Sequence, residues 1–214
     1  MKSLVLKDIY LLKSNKKILL MPIVFALIPI ILNILNIEIS LFSKNIFSSV
    51  AIMMIFMTVY NSLSFDDESK FLDYVRAMPL KLDDYVRGKY IFSLIVYVFM
   101  FLILMLINLG NMNLTSNIYA SLIQCGIMSI LGSTILMLIF KFGIKNISQI
   151  VFILYFGLIL LYTFGDMTGI VNINIGAMFQ SFNTLILVGV LILSVVAYFL
   201  MQKMSVKILK ANEG

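Results

Sequence analysis

Histidine and tryptophan are absent from this 214-residue chain, and cysteine occurs once, at Cys125. Without histidine, the commonest general base and the commonest transition-metal ligand are missing. A Ser–His protease, a histidine-dependent lipid phosphatase and a His-ligated metalloprotease each lose the working residue. A single cysteine inside an apolar run forms no internal disulfide. No phosphate-binding loop of the Gly-x-x-x-x-Gly-Lys-Ser/Thr form exists, since Gly88-Lys89-Tyr90 lacks both the first glycine and the hydroxyl. The sequence therefore offers no catalytic residue, no metal site and no bound cofactor. Charge is scarce as well: Asp, Glu, Lys and Arg make up 12% of the chain, and Ile46–Ser64 and Ile91–Phe140 contain none.

Hydrocarbon is abundant. Apolar residues reach 62% and mean hydropathy is +1.07, against about 45–50% apolar in soluble domains. A soluble bundle needs a charged outer face on each helix, and those faces are missing, so the expected solvent is lipid. At about 20 residues per crossing, the runs 18–37, 46–64, 91–109, 118–140, 147–164 and 184–201 read as six spans. The 50-residue run from Ile91 is too long for one helix, and Asn108, Gly110, Asn111, Asn113 and Asn117 mark its break. Residues 18–37 are too long for a signal-peptide core and lack a small-residue cleavage site. Residues 166–183 are semi-polar, with glycines at 169 and 176, and read as external broken helices dipping into the outer leaflet. No span contains an ionisable acid or base, which proton-coupled carriers and voltage sensors require. If the chain moves a solute uphill, the energy comes from another polypeptide.

Residues 1–17 carry five lysines against one acid, Asp8. At about 100° per residue, Leu4, Val5, Ile9, Leu11 and Leu12 share one arc, with the lysines mostly opposite. This predicts an interfacial amphipathic helix in the headgroup layer. Fifteen of the 16 Lys/Arg fall in the N-terminus, the 65–90 block, the 141–145 loop and the tail. That asymmetry orients both termini to the cytoplasm. It also accounts for the net charge of +6 without nucleic acid.

The segment between the second and third spans, FDDESKFLDYVRAMPLKLDDYVRGKY (65–90), holds 11 of the chain's 26 charged residues, six acidic and five basic. Asp66, Asp67 and Glu68, like Asp83 and Asp84, suit helix N-termini. Phe71, Val75 and Met78 stand at i, i+4 and i+7 with Leu72 beside them. That narrow apolar stripe must face the membrane surface or another protein.

This segment resembles the cytoplasmic loop between the second and third spans of ABC-2-type permeases, the membrane subunits of bacterial ATP-binding-cassette exporters. The likeness rests on Asp66-Asp67-Glu68, on Phe71 and Tyr74, on Met78-Pro79-Leu80 and on Gly88-Lys89-Tyr90. Lys81-Leu82 stands where the family usually has a Ser/Thr-Arg pair. The resemblance implies an all-α polytopic membrane protein: six transmembrane helices, an N-terminal interfacial helix and a cytoplasmic coupling helix at 68–78. It also implies a dimer of permease subunits, homo- or heteromeric, in the bacterial plasma membrane. Each subunit would dock on a separate cytoplasmic ATPase that holds ATP and Mg, through Asp66, Asp67, Glu68, Phe71, Leu72, Tyr74, Val75, Arg76, Met78 and Pro79. The cargo implied is an amphipathic peptide, as for the phenol-soluble modulin, bacitracin and lantibiotic exporters.

Two further sets bear on packing and path. Ser121, Cys125, Ser129 and Ser133 recur every four residues and form a small-residue ridge for close helix approach, expected within the subunit. Met53, Met54, Phe56 and Met57, with Phe152, Tyr155 and Phe156, fall on the spans that line the central cavity in that family. Deformable thioethers and aromatics there suit varied amphipathic substrates, and equally suit contact with lipid or neighbouring helices. The sequence also admits two other readings: a membrane enzyme, for which no polar constellation is visible, and a scaffold or immunity protein of the same topology that binds no ATPase.

Overall fold

The computed structural model describes residues 2–14, 41–77, 81–108, 114–147 and 184–211, with isolated helical positions in 20–31 and 149–157. The described residues are helical and contain no strand. Six helices organise them: α1 (Lys2–Ser14), α2 (Leu41–Glu68), α3 (Phe71–Ala77), α4 (Leu82–Asn108), α5 (Leu114–Phe142) and α6 (Thr184–Ala211). Three contain stretches long and apolar enough to cross a membrane, Leu82–Leu106, Asn117–Phe142 and Leu187–Ala211. At about 1.5 Å per residue, each measures roughly 37–39 Å and overreaches a hydrocarbon core of about 30 Å. α2 carries the charge-free run 46–64 and extends past it to Glu68. The expected spans at 18–37 and 147–164 and the external segment 166–183 fall essentially outside the described residues.

α4 is the central helix. Val86, Tyr90, Phe92, Val96, Met100 and Leu104 are buried, while Leu94, Ile95, Val98 and Leu102 are exposed. Half of its most apolar window is covered by protein, against 11% for α6, so α6 lies at the periphery with Ile192, Val195, Val196 and Phe199 outward. Water would penalise so large an apolar face; acyl chains do not.

α5 and α6 pack along much of their length. They come close at Gly126, where a Cβ would stand 2.9 Å from Val190 Cγ1. α5 meets α4 through polar ties to backbone: Asn117 Nδ2 donates to Met105 O at 3.1 Å, Cys125 Sγ to Tyr97 O at 3.4 Å and Tyr90 Oη to Ser133 O at 3.2 Å. The small-residue ridge thus touches α4 of its own chain at Cys125 and Ser133; Ser121 is buried and bonds Asn117 Oδ1, and Ser129 bonds Gly126 O. Tyr90 Oη also lies 2.9 Å from Ser205 Oγ on α6, and its ring meets Tyr198 edge-on at 5.3 Å. α4 and α6 run antiparallel, closed at one end by Lys210 Nζ and Asp83 at 2.9 Å.

The 65–90 block is helical on both sides of Pro79 as expected, but its helix boundaries differ. α2 continues unbroken through Asp66, Asp67 and Glu68, so this acidic triad ends a helix rather than starting one. Pairing overrides the unfavourable dipole position: Asp66 meets two lysines, and Ser64 Oγ donates to Glu68 Oε1 at 3.3 Å. Lys70, at φ 51°, breaks the helix in a turn, and α3 follows with only seven residues. α4 then begins at Leu82, nine residues upstream of the expected position 91, with Asp83 and Asp84 in its first turn as the dipole favours.

Candidate functional site

Lys89, two turns inside α4, is 2% exposed, and its ammonium is surrounded by acceptors. Nζ lies 2.9 Å from Asp8 Oδ1 on α1, 2.7 Å from Asp66 Oδ2 and 2.6 Å from Ser62 Oγ on α2. Its three protons are taken up by Asp8 Oδ1, Ser62 Oγ and, at 3.3 Å, Ser62 O, with Asp66 as a close ion-pair partner. Asp8 is 1% exposed and Asp66 3%. A second cation balances the second carboxylate: Lys7 pairs with Asp66 Oδ1 and stands 3.6 Å from Asp8 Oδ1. Tyr85 Oη donates to Asp66 Oδ2 at 3.0 Å. Two acids and two bases therefore form a neutral buried node that joins α1, α2 and α4.

The packing explains why α1 reaches this place. Leu4 and Asp8, one turn apart, both face inward, and α4 presents Gly88 opposite Leu4; a Cβ there would lie 3.3 Å from Leu4 Cβ. The inward part of α1's apolar arc therefore rests on protein. Leu6, Ile9 and Tyr10 remain exposed beside the lysines.

α3 is anchored on the node. The Phe71 ring lies under Lys7 Nζ, 3.7 Å from the centroid, and tilts against Tyr85 at 6.3 Å. Tyr85 in turn meets Phe140 of α5 edge-on at 6.2 Å. Val75 is fully buried and Leu72 packs against the core. The apolar stripe of α3 thus faces its own chain. Outward stand Asp67, Glu68, Lys70, Asp73 and Tyr74, with Tyr74 61% exposed.

Of the residues singled out for a docking surface, Asp66, Phe71, Leu72 and Val75 point into the bundle, while Asp67, Glu68 and Tyr74 point away from it. The Arg76 side chain, Met78 and Pro79 lie outside the described residues. So do the side chains of Met54 and Phe56 and all of Phe152, Tyr155 and Phe156; Met53 and Met57 are half-buried. Sequence reasoning missed Lys7, Asp8, Ser62, Tyr85 and Lys89 as one group. Among the described residues no cluster of His, Cys, Asp and Glu is arranged to hold a metal; the two central carboxylates are filled by lysine.

Each charged group of the node is paired with another member of it. Contacts run from Phe71 on α3 to Lys7 and Tyr85, and from these through Asp66, Asp8 and Lys89 to α1, α2 and α4. Both described chain ends and the polar segment share this end of the bundle, through Asp8–Lys89 and Lys210–Asp83.

A family model described as an ABC-2 family transporter protein matches residues 3–210. No curated protein and no solved structure gives a significant match.

Proposed function

The chain belongs to the ABC-2 family of transporter proteins, and from that premise we propose that it is the membrane subunit of an ATP-driven exporter. In this reading α3 takes the push of a separate cytoplasmic ATP-binding subunit, and a second permease subunit, identical or related, completes the translocation path. The cargo is amphipathic or hydrophobic, a cytotoxic or antimicrobial peptide being the chemistry that thioether and aromatic side chains on α2 would accommodate. The protein sits in the bacterial plasma membrane as a multi-pass chain with both termini cytoplasmic, and ATP hydrolysis resides on the partner.

The observation that carries the reading is the short α3, which has an acidic, aromatic outer face and an inner face seated on a buried ion-pair node. A rigid handle joined to three helices can turn a push at the membrane boundary into movement of spans, which a floppy loop cannot. The distribution of Lys and Arg supports the orientation. The contact falls to Tyr74 with Asp67, Glu68 and Asp73, while Asp66, Phe71, Leu72 and Val75 support it from beneath.

The test is to purify the full chain from native membranes and assay for a bound ATP-binding subunit whose ATP hydrolysis rises with added amphipathic peptide. Tyr74→Asp is expected to lower recovery of that subunit at least tenfold while the permease itself is recovered normally. Recovery without any ATP-binding partner, or an unchanged yield with Tyr74→Asp, would overturn the assignment.

A further inference from the structure

An open groove of about 520 Å³ runs between α4 and α6, on the outer side of the bundle. Leu94, Phe199 and Val206 form apolar wall, Gln202 lies between, and Arg87 and Lys203 are the only charged residues lining it. Neither cation is paired with an acid among the described residues, in contrast to Lys7, Lys89 and Lys210 at the same end of the bundle. We propose that this groove binds one acidic phospholipid, its phosphodiester between Arg87 and Lys203 and an acyl chain along Leu94 and Phe199. The proposal needs only that the chain is embedded in lipid, not that it transports anything.

Depth and charge select this occupant. Arg87 lies one turn before the charge-free run that begins at Ile91, and Lys203 directly follows the charge-free run 184–202 of α6. Both cations therefore stand at headgroup level, one on each wall. Beyond the groove the apolar surface continues outward along α4 through Val98 and Leu102 and along α6 through Val195 and Ile192, all exposed. From Leu94 to Leu102 is about 12 Å of helix, enough to hold much of an extended acyl chain. A second protein copy would need its own acids at the same level, whereas a lipid supplies anion and hydrocarbon in the order the groove presents them. Basic pockets between membrane helices recognise acidic headgroups by this arrangement.

The experiment is native mass spectrometry of the full chain in detergent, titrated with phosphatidylglycerol or with phosphatidylcholine of identical acyl chains. Phosphatidylglycerol is expected to bind in preference, with one adduct retained at the lowest lipid excess. Arg87→Gln and Lys203→Gln should each weaken it about fivefold, and the pair about 25-fold. Lys207→Gln, on the same helix but outside the lining, should leave it unchanged, which separates the site from general charge. Equal binding of the two lipids, or a double variant that binds as the parent does, would overturn the proposal. So would disulfide crosslinking of Leu94→Cys between two copies in membranes of native lipid composition, which would place protein in the groove.

Discussion

Replacing Lys89 by Met should destabilise the bundle more than any other single truncation at the node. The ammonium is 2% exposed and holds Asp8 and Asp66 at 2.9 and 2.7 Å. Removing it leaves two buried carboxylates with only Lys7 between them, and Ser62 Oγ loses its donor. Breaking a buried ion pair from one side costs about 3–5 kcal/mol, chiefly because the abandoned charge stays desolvated. At about 2–4 °C per kcal/mol for a chain of this length, the midpoint should fall by roughly 6–20 °C. Cys125 supplies the assay: the one thiol in the chain is partly buried against Tyr97, so a thiol-reactive fluorophore reports unfolding in detergent without engineering. Adding Asp8→Asn restores neutrality around Lys7 and Asp66 and should recover more than half of the loss, a non-additivity expected of groups in direct contact. A midpoint within about 2 °C of the parent for Lys89→Met, or no recovery in the double variant, would refute a neutral buried tie.

Gly126→Ala should cost about 1–3 kcal/mol, because its methyl would meet Val190 Cγ1 at 2.9 Å and a helical valine has little freedom to turn aside. Gly189→Ala on α6, where a Cβ meets nothing within 4 Å, should be neutral or stabilising by up to about 1 kcal/mol; thermal midpoints of the two variants give the comparison. Lys70→Gly should stabilise by about 0.5–1 kcal/mol, since φ 51° burdens any side chain, and a lowered midpoint would contradict the turn described. Tyr90→Phe removes the hydroxyl that serves both Ser133 O and Ser205 Oγ and should cost about 1–2 kcal/mol in the same assay.

Membrane character and three of the helices were legible because charge-free runs report solvent directly. Helix ends were legible only in part: Asp83 and Asp84 mark the start of α4, as acids at an N-terminus do, but the other ends were not read. Hydropathy placed the third span at 91, yet the backbone is helical from Leu82, because a helix ends where its hydrogen bonding ends rather than where hydrocarbon does. The acidic triad at 66–68 misled for a related reason: acids favour N-termini only until a buried cation offers more. One signal was present and unread. At about 100° per residue Asp8 falls within the arc of Leu4, Leu11, Leu12 and Val5, a carboxylate that would face hydrocarbon if that helix simply lay in lipid. Such an acid implies a buried cation, but nothing in sequence singles out Lys89 among 16 basic residues. Its partners at 8, 62 and 66 come together only in the folded chain. The stripe of Phe71 and Val75 was visible, but its period says only that one face is covered, not by what.

The central claim, that α3 hands the force of an ATP-binding partner to the spans, is tested most directly by photocrosslinking in native membranes. A photoreactive amino acid replaces Tyr74 on the outer face of α3 or, as a control, Leu106 near the far end of α4. The expected result is an adduct at position 74 with a protein that also labels with azido-ATP, and no such adduct at position 106. An azido-ATP-labelled adduct at 106, or its absence at 74 while the chain is correctly inserted, would contradict the claim.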